Sequence, residues 1–276
     1  MAARGGPVGR AERRATAPRE GPTARRGEGP TARRPDGRTG GNGDAVPAAR
    51  ATRVRQSRPR PSSPRIAMAI DLYAWNTPNG RKISVALEEF GLPYRVVPVD
   101  IVRGAQHDPA FVAISPNARI PAIVDPDGPG GAPISVFESG AILVYLAEKT
   151  GRFLPTEPRA RVSAFEWLMW QMGGFGPMPG QVHHFVGVQD EADRRYGLER
   201  YSKETRRLYG VADRRLAQVE WFAGDALSIA DFAIVGWVWR HERHRVDLAD
   251  FPAVRRWYDA MRARPAVSRG FEVALG

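Results

Sequence analysis

Two short runs carry the clearest chemistry in this chain: Ile120-Pro121-Ala122 and Glu138-Ser139-Gly140. Pro121 heads an apolar strand that reaches Val124. Proline removes a ladder donor, so it belongs at a strand start or edge, and a cis peptide bond there would mark a deliberate turn. The second run opens an amphipathic helix in which Ile142, Leu143, Tyr145 and Leu146 recur at helical spacing. A Glu-Ser pair at a helix start sets a carboxylate and a hydroxyl beside exposed backbone N–H donors. Such a place can hold an amino acid head group. Glu138 would take the ammonium, while Ser139 and the helix N-terminus would take the carboxylate. The pairing suggests glutathione.

The elements that must position these residues follow from pattern. Ile70 to Ala74 alternates and ends in the turn cluster Asn76-Thr-Pro-Asn-Gly80. Ile83, Val85, Ala86 and Leu87 mark a helix from Arg81 to Phe90, stopped by Gly91. Tyr94 to Val99 reads as a second strand and 108–113 as a short helical piece. Strands at 121–125 and 133–136 flank a Pro-Asp-Gly-Pro-Gly-Gly turn, and the helix from Glu138 runs to Gly151. The order β-α-β-α-β-β-α gives a small mixed sheet with helices on both faces. Beyond Pro155 the pattern is wholly helical. Residues 158–185 form a helix that Gly173, Gly174, Gly176 and Pro177 should kink or break. Further helices are expected over 193–220, from the Ser228-Ile-Ala-Asp231 capping box, over Pro252 to Arg264, and from Pro265.

Composition divides the chain near residue 67. Residues 1–67 hold sixteen arginines, no lysine and five acids, so the formal charge of +11 belongs entirely to this tail. The rest carries 25 basic and 25 acidic residues. Nucleic acid is therefore not an expected partner of the folded part. The tail lacks Phe, Trp, Tyr and Leu, and it repeats Gly-Pro-Thr-Ala-Arg-Arg. It is expected to be disordered, because it has too little apolar surface to offset its ordering entropy. It lacks the apolar core of a secretory signal and is Pro- and Gly-heavy for a transit peptide. Met68, directly before the first strand, is the expected functional start. Zero cysteines exclude disulfides, thiolate metal sites and a protein thiol nucleophile, which fits a reducing, cytoplasmic setting. No apolar run is long enough for a transmembrane helix.

Several strings together resemble the glutathione S-transferase superfamily. They are Ile-Pro, Glu-Ser-Gly-Ala and the Ser-Ile-Ala-Asp box, in this order of elements. Thr77-Pro-Asn-Gly80, Ile114-Ser-Pro-Asn117, Leu146-Ala-Glu-Lys-Thr-Gly151, Trp170-Gln-Met-Gly-Gly174 and His183-His-Phe185 are similar to the nu-class, glutathione-dependent disulfide-bond reductases. The resemblance implies a thioredoxin-like α/β domain over 68–152, an all-α domain over 158–276 and a homodimer. It places the glutathione thiol beside Thr77 and Asn79, as the catalytic pair. Binding roles carry over to Gln106, to Ile120 before Pro121, to Glu138 and Ser139, and to Arg200 in Leu198-Glu-Arg-Tyr201. No metal is implied. Departures such as Asn117-Ala-Arg119, His107, Pro179 and Gly236 bear on the shape of the second-substrate pocket. The implied activity is thiol–disulfide exchange on a small disulfide. Conjugation to an electrophile, peroxide reduction and a non-catalytic regulatory role are the alternatives.

The competing readings are structural. Thr77 and Asn79 are also good turn formers, although hydrogen bonds and a helix N-terminus would favour a thiolate there. Tyr73 is expected to pack in the sheet rather than act on a thiol. His183 and His184 are expected to pack or line a pocket, since adjacent helical residues diverge. Trp167, Trp170, Trp237 and Trp239 are expected in the core or an interface. Ser228 and Asp231 are assigned to capping.

Overall fold

The computed structural model describes residues 68–276; the expectations for residues 1–67 lie outside the described residues. Strand β1 (Ile70–Ala74) lies at the centre of a four-stranded sheet ordered β2-β1-β3-β4. It pairs in parallel with β2 (Tyr94–Pro98) and antiparallel with β3 (Ala122–Asp125), which pairs antiparallel with β4 (Ile134–Phe137). Ile70, Leu72 and Ala74 alternate into the core, as a period of two requires. Tyr73 points to the other face and packs against Phe111, ring centroids 6.1 Å apart. The parallel β1–β2 crossover is made by α1 (Pro78–Phe90); α2 (Pro109–Val112) and α3 (Ser139–Thr150) complete a thioredoxin-like domain.

Helix α1 begins three residues earlier than its apolar pattern indicates. Thr77 is its N-cap, with Oγ1 accepting the Gly80 N–H at 3.2 Å, and Pro78 fills the first position, where its missing donor costs nothing. Asn79 and Gly80 therefore belong to the first helical turn. The helix stops at Gly91, whose φ of 67° is left-handed and natural to glycine.

The helical domain contains α4 (Pro158–Trp170), α5 (Pro177–Val186), α6 (Glu191–Leu216), α7 (Ile229–Val238), α8 (Pro252–Arg262) and α9 (Pro265–Glu272). Between α4 and α5 the backbone adopts a π-helical segment, Gln171–Phe175, at the break expected from the glycines. Helix α6 starts at Glu191 because Asp190 caps it through the Asp193 N–H. Helix α1 is enclosed by α3, α7 and α9. Ile83, Leu87, Ile142, Leu146, Phe232 and Val235 form one core across both domains. Trp167 and Trp170 join it through Phe175 and Phe222. The capping box of α7 is present, and Asp231 goes further than a cap. Its buried carboxylate also accepts from the Phe222 N–H and from Trp257 Nε1. Among the described residues no helix is long and apolar enough to cross a membrane.

Candidate active site

A cavity of about 630 Å³ opens between the sheet domain and the helical domain, a size suited to a small ligand. Thr77, Asn79, Gln106, Ile120, Pro121, Glu138 and Ser139 line it, together with Met172, Gly180 and Trp237. The thioredoxin-like half brings these residues from four places: the start of α1, the Ala105–His107 turn before α2, the loop before β3 and the start of α3.

At the α1 end, two side chains are committed as donors. Thr77 Oγ1 already accepts the Gly80 N–H, so its own O–H is free to donate. Asn79 Oδ1 accepts the indole N–H of Trp237 at 3.0 Å. Indole nitrogen only donates, so the oxygen of Asn79 is the atom that must face it. The Nδ2 donors are thereby left for other partners. Both groups stand at the positive end of a 13-residue helix, where negative charge is favoured. Gly80 is required for this turn: a Cβ there would lie 2.4 Å from the Trp75 carbonyl oxygen. Trp237 is in turn braced by a stack with His183 and by His244. Burial pulls the His183 pKa down to about 4 and that of His244 to about 2, so these braces are neutral rings.

At the α3 end, Glu138 is the N-cap and has φ 68°, ψ 116°, a conformation costing a non-glycine residue on the order of 1–3 kcal/mol. The strain sits on a residue whose carboxylate borders the cavity, where Asn117 Nδ2 donates to Oε1 at 3.4 Å. Ser139 follows, its Oγ accepting from the Lys82 ammonium at 3.2 Å. Lys82 is 1% exposed. Desolvation pulls its pKa down to about 7, partly offset by attraction to Glu138.

Between the two ends, the Ile120–Pro121 bond is cis. The β1–β3 ladder begins only at Ala122, so the backbone of Ile120 borders the cavity rather than the sheet. Gln106, which lines the cavity, has a buried Oε1 with no hydrogen-bond partner.

Arg200 is placed elsewhere. It lies on α6 and lines a separate surface pocket with Met178, Tyr196, Tyr201 and Arg207. Helix α5 stands between the two spaces: its Gly180 lines the central cavity and its Met178 the Arg200 pocket. Residues two apart on a helix do not share a face. The sequence string locates Arg200 on its helix but not on a side of α5. Trp237 is buried in the core, as expected, and also forms part of the cavity wall. Lys82 belongs to no sequence motif, and Met172 enters the sequence reading only within Trp170-Gln-Met-Gly-Gly174, without a site role. The signal for Lys82 was present, since Asn79, Lys82 and Ala86 share one face of a buried helix. His183 and His184 diverge, His183 stacking on His244 and His184 meeting Phe185.

The family descriptions "Glutathione S-transferase, N-terminal domain" and "Glutathione S-transferase, C-terminal domain" match residues 77–149 and 177–265. The chain belongs to the glutathione S-transferase family. Within that family it is 51% identical to the disulfide-bond oxidoreductase YfcG of Escherichia coli K12 over 201 residues, 72% of this chain and 93% of that protein. A glutathione transferase family member from Pseudomonas fluorescens Pf-5, crystallised with two glutathione bound, is 43% identical with a TM-score of 0.68. It covers 75% of this chain and 94% of its own. A glutathione transferase from Pseudomonas putida, with one glutathione disulfide bound per subunit, is also 43% identical, with a TM-score of 0.69. It covers 74% of this chain and 91% of its own.

Proposed function

We propose that this glutathione S-transferase family member catalyses thiol–disulfide exchange with glutathione as the thiol. The carrying observation is the pair of committed donors, Thr77 Oγ1–H and Asn79 Nδ2–H, at the N-terminus of α1 in a chain without cysteine. The nucleophilic sulfur must then come from the ligand. Two donors and a helix N-terminus favour its thiolate. Attack on a small disulfide RS–SR releases RS⁻ and forms the mixed disulfide GS–SR. A second glutathione thiolate attacks the glutathione sulfur of GS–SR, releasing the second RS⁻ and forming glutathione disulfide.

Along the cavity, Glu138 takes the γ-glutamyl ammonium, and Ser139 with the α3 N-terminus takes its carboxylate. The backbone of Ile120, set by the cis Pro121, pairs with the cysteinyl unit. Gln106 Oε1 accepts from the peptide. YfcG, named a disulfide-bond oxidoreductase, and the glutathione or glutathione disulfide bound in the two Pseudomonas structures support glutathione as the thiol. The functional unit is a homodimer acting in the cytoplasm, as membership of the family and the absence of cysteine favour. Sedimentation giving a species near 30.4 kDa at micromolar concentration would contradict the dimer.

The activity test is turnover of hydroxyethyl disulfide with glutathione. Catalysed formation of glutathione disulfide is expected. Tight glutathione binding without turnover would favour a regulatory protein instead.

A further inference from the structure

Lys82 is a buried cation with neutral hydrogen-bond partners. Its ammonium donates to Gln171 Oε1 at 2.6 Å, Ser139 Oγ at 3.2 Å and Met172 Sδ at 3.4 Å. That uses all three N–H groups of an ammonium. Burying a charge against neutral groups is costly, and attraction to Glu138 offsets that cost only in part. Ser139 lies between Lys82 and the cavity, and it is the first residue of α3. The first N–H groups of a helix have no partner within it.

The hydrogen bonding sets the polarity of the Ser139 hydroxyl. One lone pair of Oγ is taken by Lys82, so the proton must point elsewhere. In this structure it points to Met172 Sδ at 3.6 Å. A thioether is a weak acceptor, and a carboxylate would take the proton readily. Gln171 and Met172 come from the π-helical segment, so the helical domain supplies two of the three groups that aim the lysine.

We infer that Lys82 is a positioning residue for the γ-glutamyl carboxylate, acting through Ser139 and supplying the positive charge behind that seat. The inference rests on the proposed placement of the γ-glutamyl head at Glu138 and Ser139. Lys82 thereby makes the site selective for a thiol peptide that carries a free α-carboxylate at this end.

The test compares glutathione with 4-aminobutanoyl-cysteinyl-glycine, which is glutathione without that carboxylate. Calorimetry at pH 6.5 on wild type should show a preference of about thirtyfold for glutathione, the scale of a charged hydrogen bond. Lys82→Met keeps the length of the side chain and removes its charge. It should cut the preference to about threefold, mainly by weakening glutathione, with the analogue nearly unaffected. Equal weakening of both ligands, or an undiminished preference, would overturn the inference. A wild type that does not discriminate at all would overturn the head-group seat itself, and the inference with it.

A second measurement needs no variant. Around Lys82, α3 brings Glu138 and the neutral Ser139, the π-helical segment brings neutral Gln171 and Met172, and α7 brings the backbone of Gly236. With the lysine near pKa 7, the wild-type preference for glutathione should fall severalfold between pH 6 and pH 8.5. A constant preference over that range would overturn the assignment.

Discussion

Trp237 Nε1 donates to Asn79 Oδ1 across 3.0 Å, joining a helical-domain ring to the first turn of α1. The bond fixes which end of the amide stays free, and in the proposed function that end faces the thiolate. Trp237→Phe keeps an aromatic ring against His183 and His244 but removes the donor. Freed from it, the amide can rotate, and part of the thiolate stabilisation goes. Disulfide-reductase turnover should fall about 3- to 10-fold, with a rise in the pKa of bound glutathione read from thiolate absorbance. Unchanged turnover and pKa would detach Trp237 from the chemistry.

Glu138→Ala leaves the ligand ammonium without a partner. Glutathione binding should weaken by about 2 kcal/mol, or roughly thirtyfold. Calorimetry is the direct check, and an unaltered affinity would remove the basis for seating the head group on α3.

Stability should depend on pH through His183 and His244. Their folded pKa values, about 4 and about 2, lie below the ordinary 6.5. Below pH 6.5 the unfolded chain binds protons that the folded chain refuses, so stability rises with pH and is lost as pH falls. Between pH 6.5 and 5.5 the loss should be about 1–2 kcal/mol. Urea melts at the two values, with equal slopes, measure it. A flat profile would mean that the rings are accessible to protons in the folded state.

Asp231 and Ser228 share a cap but not its weight. Ser228→Ala should cost about 1 kcal/mol, a normal cap loss. Asp231→Ala also leaves the Phe222 N–H and Trp257 Nε1 without their acceptor, and should cost at least about 3 kcal/mol. Equal costs in denaturant melts would contradict the additional roles of the carboxylate.

The fold was largely legible because its signals are local. Alternation at Ile70–Ala74, the apolar stripe of α1, the glycines at 173–176 and the Ser228–Asp231 box each specify their element with no knowledge of the rest. The cavity residues from Thr77 to Ser139 were also legible, since they sit at element starts that turn chemistry marks. Trp237 was not. Helix α7 is buried on every side from Ile229 to Val238, so no face of it stands out in the sequence. The pocket that Arg200 lines was not legible for a related reason: which side of α5 it meets depends on how α5 and α6 pack, and no local pattern carries that. Lys82 interrupts the buried stripe of α1 with a charge, and that interruption is its signal in the sequence.

The most direct test of the account sets Asn79→Ala beside Tyr73→Phe in one assay, hydroxyethyl disulfide turnover at saturating glutathione. The proposed site sets the thiolate against donors at the start of α1, whereas the Tyr73 ring packs on Phe111. Asn79→Ala should lower turnover about 10-fold or more, and Tyr73→Phe should leave it nearly unchanged. If Tyr73→Phe abolishes activity while Asn79→Ala retains it, the sulfur is activated from the sheet, and the assignment of Thr77 and Asn79 is wrong.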